Sequence, residues 1–459
     1  MRTPPVEQSN AGRAPLLGAG SLFAILLAGL VLTNAKAPGT ATLGISVAQL
    51  GRAARLFHGP LPYLASLPAF SFSVVAWSSV CVLWCVYLWL IWYVRDREID
   101  LRWVAGGAIG LGLLAVLVPP LFSTDIFSYA MFGRLAGVYD VNPYLTTASS
   151  SAPTDPLLPY VFWRDIASPY GPLWSLVSWL VAHGARTTPF MLVVRFKIVE
   201  FVSMMLDGAL IYRFVRIRWA QHATWAYLAF AWNPLVLIDG LVVGHNDVLT
   251  LTLVLISAEL LRRGRSTWGM VWLTASALIK YSTVPVVGVA MIREALRRPV
   301  WQRGTFMARV GTLVLPLAAV SFLPFWAGPR SLASTFGEPD RGVTNPIWRV
   351  PRWIGRHLLS QQHAAITEPT TIVVLALILF AAWQWVALRT QRTDLTPESI
   401  HDDLAAWAQA MIVFLALWPR LHTWYPLVPA GLALAAGPNH RRLYGQVLLL
   451  TALSYLAYV

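Results

Sequence analysis

Residues 106–129 read GGAIGLGLLAVLVPPLFSTDIFSY: an almost unbroken apolar run, Gly106–Phe122, that ends in Ser123-Thr124-Asp125-Ile126-Phe127-Ser128-Tyr129. An apolar run of this length predicts a helix that crosses or enters a bilayer. An ionised carboxylate at the end of such a run is costly unless it is used. Asp125 is therefore the first candidate for chemistry. As an N-cap of a short helix over Ile126–Leu135 it would accept backbone N–H bonds, and both uses can hold together.

Outward from this junction, the apolar pattern resumes at Ser168-Pro169-Tyr170-Gly171-Pro172-Leu173-Trp174. Apolar runs lie at Leu16–Asn34, Phe70–Val94, Trp103–Phe122, Leu173–Ala182, Met191–Tyr212, Ala223–Val243 and Val248–Leu261. Others lie at Trp268–Ile279, Thr283–Ile292, Gly311–Trp326, Thr371–Ala387, Leu404–Trp418, Thr423–Ala436 and Gly445–Tyr458. The chain has 459 residues, 57% hydrophobic and 12% charged, with mean hydropathy +0.58. That composition excludes a soluble multidomain protein and predicts an all-α polytopic membrane protein of about 12–14 membrane segments.

The net charge of +14 does not predict nucleic-acid binding, because the arginines sit at span ends. Arg95/Arg97/Arg102, Arg213/Arg216/Arg218, Arg262/Arg263/Arg265, Arg297/Arg298/Arg303 and Arg441/Arg442 read as cytoplasmic anchors. The connection Ser123–Gly171 sets Asp125, Asp140, Asp155 and Asp165 against Arg134 and Arg164, so it is net acidic and expected to face outward. Keeping Arg213–Arg218 inside then requires Leu173–Ala182 or Ala223–Val243 to be a half-crossing or a re-entrant hairpin. Trp232-Asn233-Pro234 is a candidate break, since proline removes a helix donor.

Residues 1–15 are expected to form a disordered tail and 16–459 a single transmembrane domain with two large outward loops, 123–171 and 327–370. Leu16–Asn34 is expected to be retained as a first span rather than cleaved as a signal peptide. Cys81 and Cys85, four apart on one predicted helix, are poorly placed for a disulfide and read as lipid-facing or packing residues.

Polar clusters recur at the outer ends of these runs. Asp125 and Tyr129 are followed by Asp140-Val141-Asn142-Pro143-Tyr144, then Trp163-Arg164-Asp165 and Ser168-Pro169-Tyr170-Gly171-Pro172. Gly244-His245-Asn246-Asp247 lies between two apolar runs, as a polar turn or as part of a site. Ile279-Lys280-Tyr281 pairs with Trp418-Pro419-Arg420-Leu421-His422-Thr423-Trp424-Tyr425-Pro426. A lysine in an apolar run points to function, with snorkelling to the interface as the alternative. A carboxylate can take a proton from an attacking hydroxyl, and lysine and arginine can hold the charge developing on a phosphate. Together these groups suit transfer of a lipid-phosphate-borne group to a hydroxyl. Asp125, His245, Lys280 and Arg420 are expected to line one outward-facing cavity. Lys280, Arg420 and His422, with Tyr281 and loop arginines such as Arg341, are expected to grip the donor phosphate. Arg330, Arg349, Arg352 and Arg356 share that loop. Tyr129, Arg164, Asp165, Tyr170, His245, Asn246 and Asp247 are the expected acceptor contacts. Asp125 and Asp247 could ligate a divalent metal, but no tight carboxylate cluster demands one, and no cofactor is expected.

The stretch from Asp125-Ile126-Phe127-Ser128-Tyr129 through Ser168-Pro169-Tyr170-Gly171-Pro172 resembles the bacterial polyprenol-phosphomannose-dependent α-1,6-mannosyltransferases of the GT-C superfamily. Trp232-Asn233-Pro234, Gly244-His245-Asn246-Asp247, Ile279-Lys280-Tyr281 and Trp424-Tyr425-Pro426 follow in the order that family shows. The resemblance covers roughly 70–440. It implies a GT-C glycosyltransferase fold, an inverting mechanism and a polyprenyl-phosphate sugar donor, and it maps the presumed base onto Asp125. The chain carries Ile126-Phe127 where the family more often has Val-Tyr, and Phe132-Gly133 where it often has Gln-Gly. Mannose is the family default, with a lipid-linked or glycan acceptor at the plasma membrane. The competing classes are a secondary transporter or lipid flippase, and a non-catalytic scaffold. Transporters place polar groups at the midplane and often show two similar halves; here the polar groups cluster towards one face and no half-repeat is visible.

Overall fold

The computed structural model describes residues 13–33, 72–120, 123–184, 188–331, 344–349, 369–390 and 400–456, and all of its regular elements are helical. The tail, residues 1–12, and most of the second long loop, Arg341, Arg352 and Arg356 included, lie outside these residues. In chain order the helices are α1 (Arg13–Thr33), α2 (Phe72–Tyr93), α3 (Leu101–Leu117), α4 (Asp125–Gly137), α5 (Pro172–Ala182), α6 (Pro189–Arg218) and α7 (Ala223–Ala231). A π-helical stretch, Leu235–Val242, comes next. Then follow α8 (Asp247–Arg262), α9 (Ser266–Ile279), α10 (Val284–Leu296), α11 (Val300–Phe322), α12 (Pro369–Thr390), α13 (Ile400–Leu417), α14 (Leu427–Ala435) and α15 (Arg441–Leu456). Each apolar run read from the sequence thus contains a helix among the described residues, and the short helix expected after Asp125 is α4.

Local chemistry sets several boundaries. Asp100 caps α3 by accepting from the Arg102 N–H at 2.9 Å, and Pro119-Pro120 stop it. Thr188 caps α6 with Pro189 as its first residue, where the missing N–H costs nothing. The break expected at Trp232-Asn233-Pro234 is present. Pro234 has no N–H, Asn233 Oδ1 accepts from the Leu235 N–H at 2.9 Å, and the chain bends by 47° between the two apolar halves. Trp232 is buried and donates to Val104 O at 3.0 Å. A side chain on Gly107 would collide with its ring, so glycine is needed at that crossing.

Among the described residues two helices, Val300–Phe325 and Ile400–Leu417, are long and apolar enough to cross a membrane alone, or three if the bent pair counts as one span. Shorter apolar helical stretches are Ala14–Leu26, Ser78–Tyr93, Leu101–Leu117, Pro172–Ala182 and Thr371–Ala387. Cys81 and Cys85 are exposed free thiols.

The chain divides into two compact units, Met1–Ala167 with Ser175–Thr252, and Ser168–Trp174 with Leu253–Val459. In the first, α6 is central and packs on α3, α4, α7 and the π-helix. In the second, α13 packs on α10, α12, α14 and α15, and Asp403 pairs with Arg293 and Arg297, each at 2.6 Å.

The long connection after α4 is tied down by a buried ion pair. Arg134 contacts Asp155 Oδ2 through Nη2 at 2.7 Å and Nε at 2.8 Å, and the Tyr139 hydroxyl donates to the same oxygen at 2.8 Å. Burial first, and the Asp155 carboxylate second, push the Tyr139 phenol above its usual range. Removing one partner of such a pair strands the other charge, at a cost of about 3–5 kcal/mol. Asp155→Ala should therefore lower the thermal unfolding midpoint by several degrees, with Asp155→Leu/Arg134→Met recovering part of the loss. An unchanged midpoint in Asp155→Ala contradicts this account of the loop.

Candidate active site

Asp125 begins α4, and Thr124 before it makes no side-chain capping hydrogen bond. The expected N-cap geometry is therefore absent: Asp125 lies inside the first turn, and its carboxylate meets side chains. Oδ1 accepts from Trp163 Nε1 at 2.8 Å, and Oδ2 lies 3.9 Å from His245 Nδ1. Tyr129, one turn along the same face, places its hydroxyl 3.3 Å from the same imidazole nitrogen. Phe162 packs edge-on against the Trp163 ring at 4.6 Å. The Asp125 side chain is 13% exposed, whereas His245 is fully buried. One carboxylate oxygen is thus oriented by an indole, and the group still reaches the surface.

The Gly244-His245-Asn246-Asp247 turn is built for close approach. Gly244 sits at φ +80°, and a side chain there would meet Ile126 and Lys197. The His245 N–H donates to Asp239 O of the π-helix at 3.3 Å, and Thr250 Oγ1 donates to Asn246 O at 2.7 Å. Asp247 opens α8 and is buried. Neither amide atom of Asn246, a fully buried residue, has a hydrogen-bond partner among the described residues. Such groups are rare because they cost free energy.

Two residues that the sequence reading passed over hold this arrangement in place. Lys197, Glu200, Ser203 and Asp207 form a buried stripe along α6, at helical spacing. Lys197 Nζ donates to Val118 O and, at 3.3 Å, to Ala115 O, the last carbonyls of α3. Glu200 Oε2 accepts from the Leu249 N–H at 3.1 Å, in the first turn of α8. An amine donor at a helix C-terminus and a carboxyl acceptor at an N-terminus both satisfy backbone groups that the helix leaves open. Here they anchor the helix that leads into Asp125 and the helix that follows His245. Their only sequence signal was charge within the Met191–Tyr212 run.

The second unit carries the basic cluster. Lys280 ends α9 with extended backbone, and its Nζ lies 5.3 Å from the Tyr425 ring centre. His422 stacks on Trp424 at 4.6 Å with ring planes 6° apart, and meets Tyr425 edge-on at 5.0 Å. Burial, Lys280 and Arg420 together lower the His422 pKa to about 3, so the ring is neutral at pH 7 and offers one N–H and one lone pair. Burial also works against the Arg420 charge. Tyr281 opens the turn after Lys280. The half-buried Tyr170 segment docks here, with the Gly171 N–H donating to Ile279 O at 3.2 Å. A side chain on Gly171 would strike the Leu278 carbonyl.

Asn345, which the sequence reading did not single out, clamps the Arg420 turn. Its Nδ2 reaches Ala416 O at 2.9 Å and Trp418 O at 2.8 Å, and Trp348 Nε1 donates to Leu417 O at 2.6 Å. These are the free carbonyls at the end of α13.

Arg164 and Asp165 are exposed and pair with each other at 3.6 Å. Arg330 and Arg349 are exposed, and Arg341 lies outside the described residues. Among the described residues no group of three or more His, Cys, Asp or Glu side chains could hold a metal.

Two predictions follow from this geometry. Glu200→Leu removes the acceptor at the start of α8 and should cost about 1–3 kcal/mol of stability, while Glu200→Gln, which retains an oxygen, should cost less. Equal losses in chemical unfolding would contradict the capping role. His422 has a folded pKa near 3 against the usual 6.5, so between these values the unfolded chain binds the extra proton and stability falls as pH falls. Unfolding midpoints from pH 7 to pH 4 should drop more in the native chain than in His422→Gln. Parallel curves would contradict the buried neutral imidazole.

A family model described as alpha-(1->6)-mannopyranosyltransferase, N-terminal domain, matches residues 27–295. That range includes Asp125, His245 and Lys280 and stops before Arg420. Alpha-(1->6)-mannopyranosyltransferase A of Corynebacterium glutamicum is 28% identical over 44% of this chain and 44% of its own length. Alpha-(1->6)-mannopyranosyltransferase A of Mycobacterium tuberculosis is 26% identical over 79% of this chain and 72% of its own. Alpha-(1->6)-mannopyranosyltransferase Rv1459c of the same organism is 26% identical over 59% of this chain and 46% of its own. The matches thus span less than half the length of the first and third relatives. No solved structure matches the chain. With more than half of its residues matched by the family model, the chain belongs to the alpha-(1->6)-mannopyranosyltransferase family.

Proposed function

We propose that this chain is a membrane mannosyltransferase that moves a mannosyl group from a polyprenyl-phosphate donor to a hydroxyl of a lipid-linked or glycan acceptor. The observation that carries this reading is the Asp125 carboxylate: oriented by Trp163, beside His245 and Tyr129, and 13% exposed at the end of an apolar helix. Family membership supports the sugar.

Asp125 acts as general base. Its oxygen takes the proton of the acceptor hydroxyl as that oxygen attacks the anomeric carbon. The bond from that carbon to the phosphate oxygen breaks from the opposite face, and its electron pair leaves on the phosphate. The configuration therefore inverts. Lys280 and Arg420 hold the developing phosphate charge. His422, a neutral imidazole, donates its N–H to the phosphate; Tyr281 and Arg341 complete the donor contacts. Tyr129, Arg164, Asp165, Tyr170, His245, Asn246 and Asp247 contact the acceptor, and the unpartnered Asn246 amide suits a sugar hydroxyl. The reaction belongs at the outward face of the plasma membrane, in a single polytopic GT-C domain of about 12–14 segments.

A transporter reading has one observation in its favour, the buried Lys197–Asp207 stripe. Two of its charges end on helix termini, which favours a positioning role.

Asp125→Asn keeps the shape of the side chain and removes proton acceptance. Transfer in membranes or with purified protein should fall about 10²–10⁴-fold, with unfolding unchanged. Near-native turnover would move the base to Asp165 or Asp247. Lys280→Ala and Arg420→Ala should weaken donor titration and turnover while leaving acceptor binding intact; unchanged donor titration in both would place the phosphate elsewhere.

A further inference from the structure

A cavity of about 780 Å³ lies at the end of α9 remote from Lys280, within the second unit, lined by Gly264, Arg265, Ser266, Arg298, Arg309 and their neighbours. Helix α9 has 14 residues, so this cavity and the Lys280 cluster are about 20 Å apart along its axis. They are distinct sites.

The arginines on this face fall into two classes. Most have carboxylates: Glu259 holds Arg262 at 2.7 Å and Arg263 at 2.7 Å, while Glu294 holds Arg297 at 2.5 Å and Arg298 at 3.1 Å. The side chains of Arg265 and Arg309, both on the cavity wall, have no hydrogen bond or ion pair among the described residues. No Asp or Glu lines the cavity. Membrane topology accounts for an excess of arginines on a face, but not for two of the three arginines on the cavity wall lacking the carboxylate that Arg298 and the arginines around it have.

Arg309 adds a depth argument. It lies nine residues into the Val300–Phe325 span, about 13 Å along the helix from its start, and it is exposed. A charge at that depth needs a counter-ion or must snorkel to the surface. The Arg298 guanidinium is already fixed, donating to Ser266 Oγ at 2.5 Å and lying 3.8 Å over the Phe306 ring. The wall also carries Trp268, 54% exposed, and Trp301, 77% exposed. Exposed tryptophans are at home at headgroup depth, and Gln302, Thr305 and Thr312 supply polar groups between them.

We propose that this cavity binds the phosphate headgroup of an anionic membrane phospholipid, with Arg265 and Arg309 as its two ligating cations, acyl chains along α11, and Trp268 and Trp301 at its rim. The site is separate from the transfer chemistry. It gives the second unit a fixed lipid at the arginine-rich face.

The test uses the full-length protein in neutral detergent. Thermal unfolding is followed while mixed micelles of phosphatidylglycerol, of phosphatidylcholine, or inorganic phosphate are titrated in. Phosphatidylglycerol should raise the midpoint saturably, and phosphatidylcholine should not. Loss of one charge-assisted contact weakens binding about tenfold or more, so Arg265→Ala/Arg309→Ala should raise the half-saturating phosphatidylglycerol concentration by about a hundredfold. The control Arg262→Ala/Arg263→Ala, on the same face but away from the cavity, should keep the native response. Four results would overturn the proposal: equal responses to the two lipids, an unchanged response in Arg265→Ala/Arg309→Ala, an equal loss in the control, or inorganic phosphate reproducing the full shift. Because the readout is unfolding, a failure here leaves the catalytic reading untouched, and the converse also holds.

Discussion

A charge inside an apolar helical body survives only where something of opposite sign meets it, and this constraint organises the molecule. Lys197 shows it most directly. Its amine donates to the terminal carbonyls of α3, and one turn along α6 the Glu200 carboxyl group accepts from the first turn of α8. Helix ends supply the partial charges that water supplies elsewhere. The chain uses two otherwise costly residues to fix the two segments from which Asp125 and His245 project.

The same constraint separates structural charge from charge kept for a ligand. Arg134 and Asp155, and Arg293, Arg297 and Asp403, are satisfied within the protein and behave as ties between elements. Lys280, Arg420 and His422 crowd together with Trp424 and Tyr425, and burial first, with the two cations adding to it, disfavours the imidazolium. Two cations gathered beside a neutral imidazole suit an incoming anion, which the proposed phosphate leaving group provides. Asp125 carries the complementary sign and is oriented by a neutral donor, Trp163, as the proposed base requires.

Much of this was legible in the sequence. Apolar periodicity located the helices, Trp232-Asn233-Pro234 announced the break, and Asp125 was singled out because a carboxylate at the end of an apolar run demands an explanation. Asp125 and Tyr129 were named from one motif and His245 from another, and the first two meet at one imidazole nitrogen of the third. Lys197, Glu200 and Asn345 were missed for a common reason: their partners are backbone groups far along the chain, at separations of 79 for Lys197 to Val118 and 73 for Asn345 to Trp418. Side-chain motifs carry no trace of which carbonyl will end beside them. Arg164 and Asp165, named from the same motif, lie exposed and paired with each other, a pairing of neighbours that the motif does not announce.

The central claim is single-displacement transfer from a lipid-phosphate sugar. The most direct test incubates purified protein with synthetic polyprenyl-phosphate β-mannose and a mannoside acceptor, and reads the product's linkage and anomeric configuration by NMR. The account predicts a new α-linked mannose, inverted relative to the donor, and no transfer from a nucleotide-sugar donor. A product that retains the donor configuration, or one formed only from the nucleotide sugar, would contradict it.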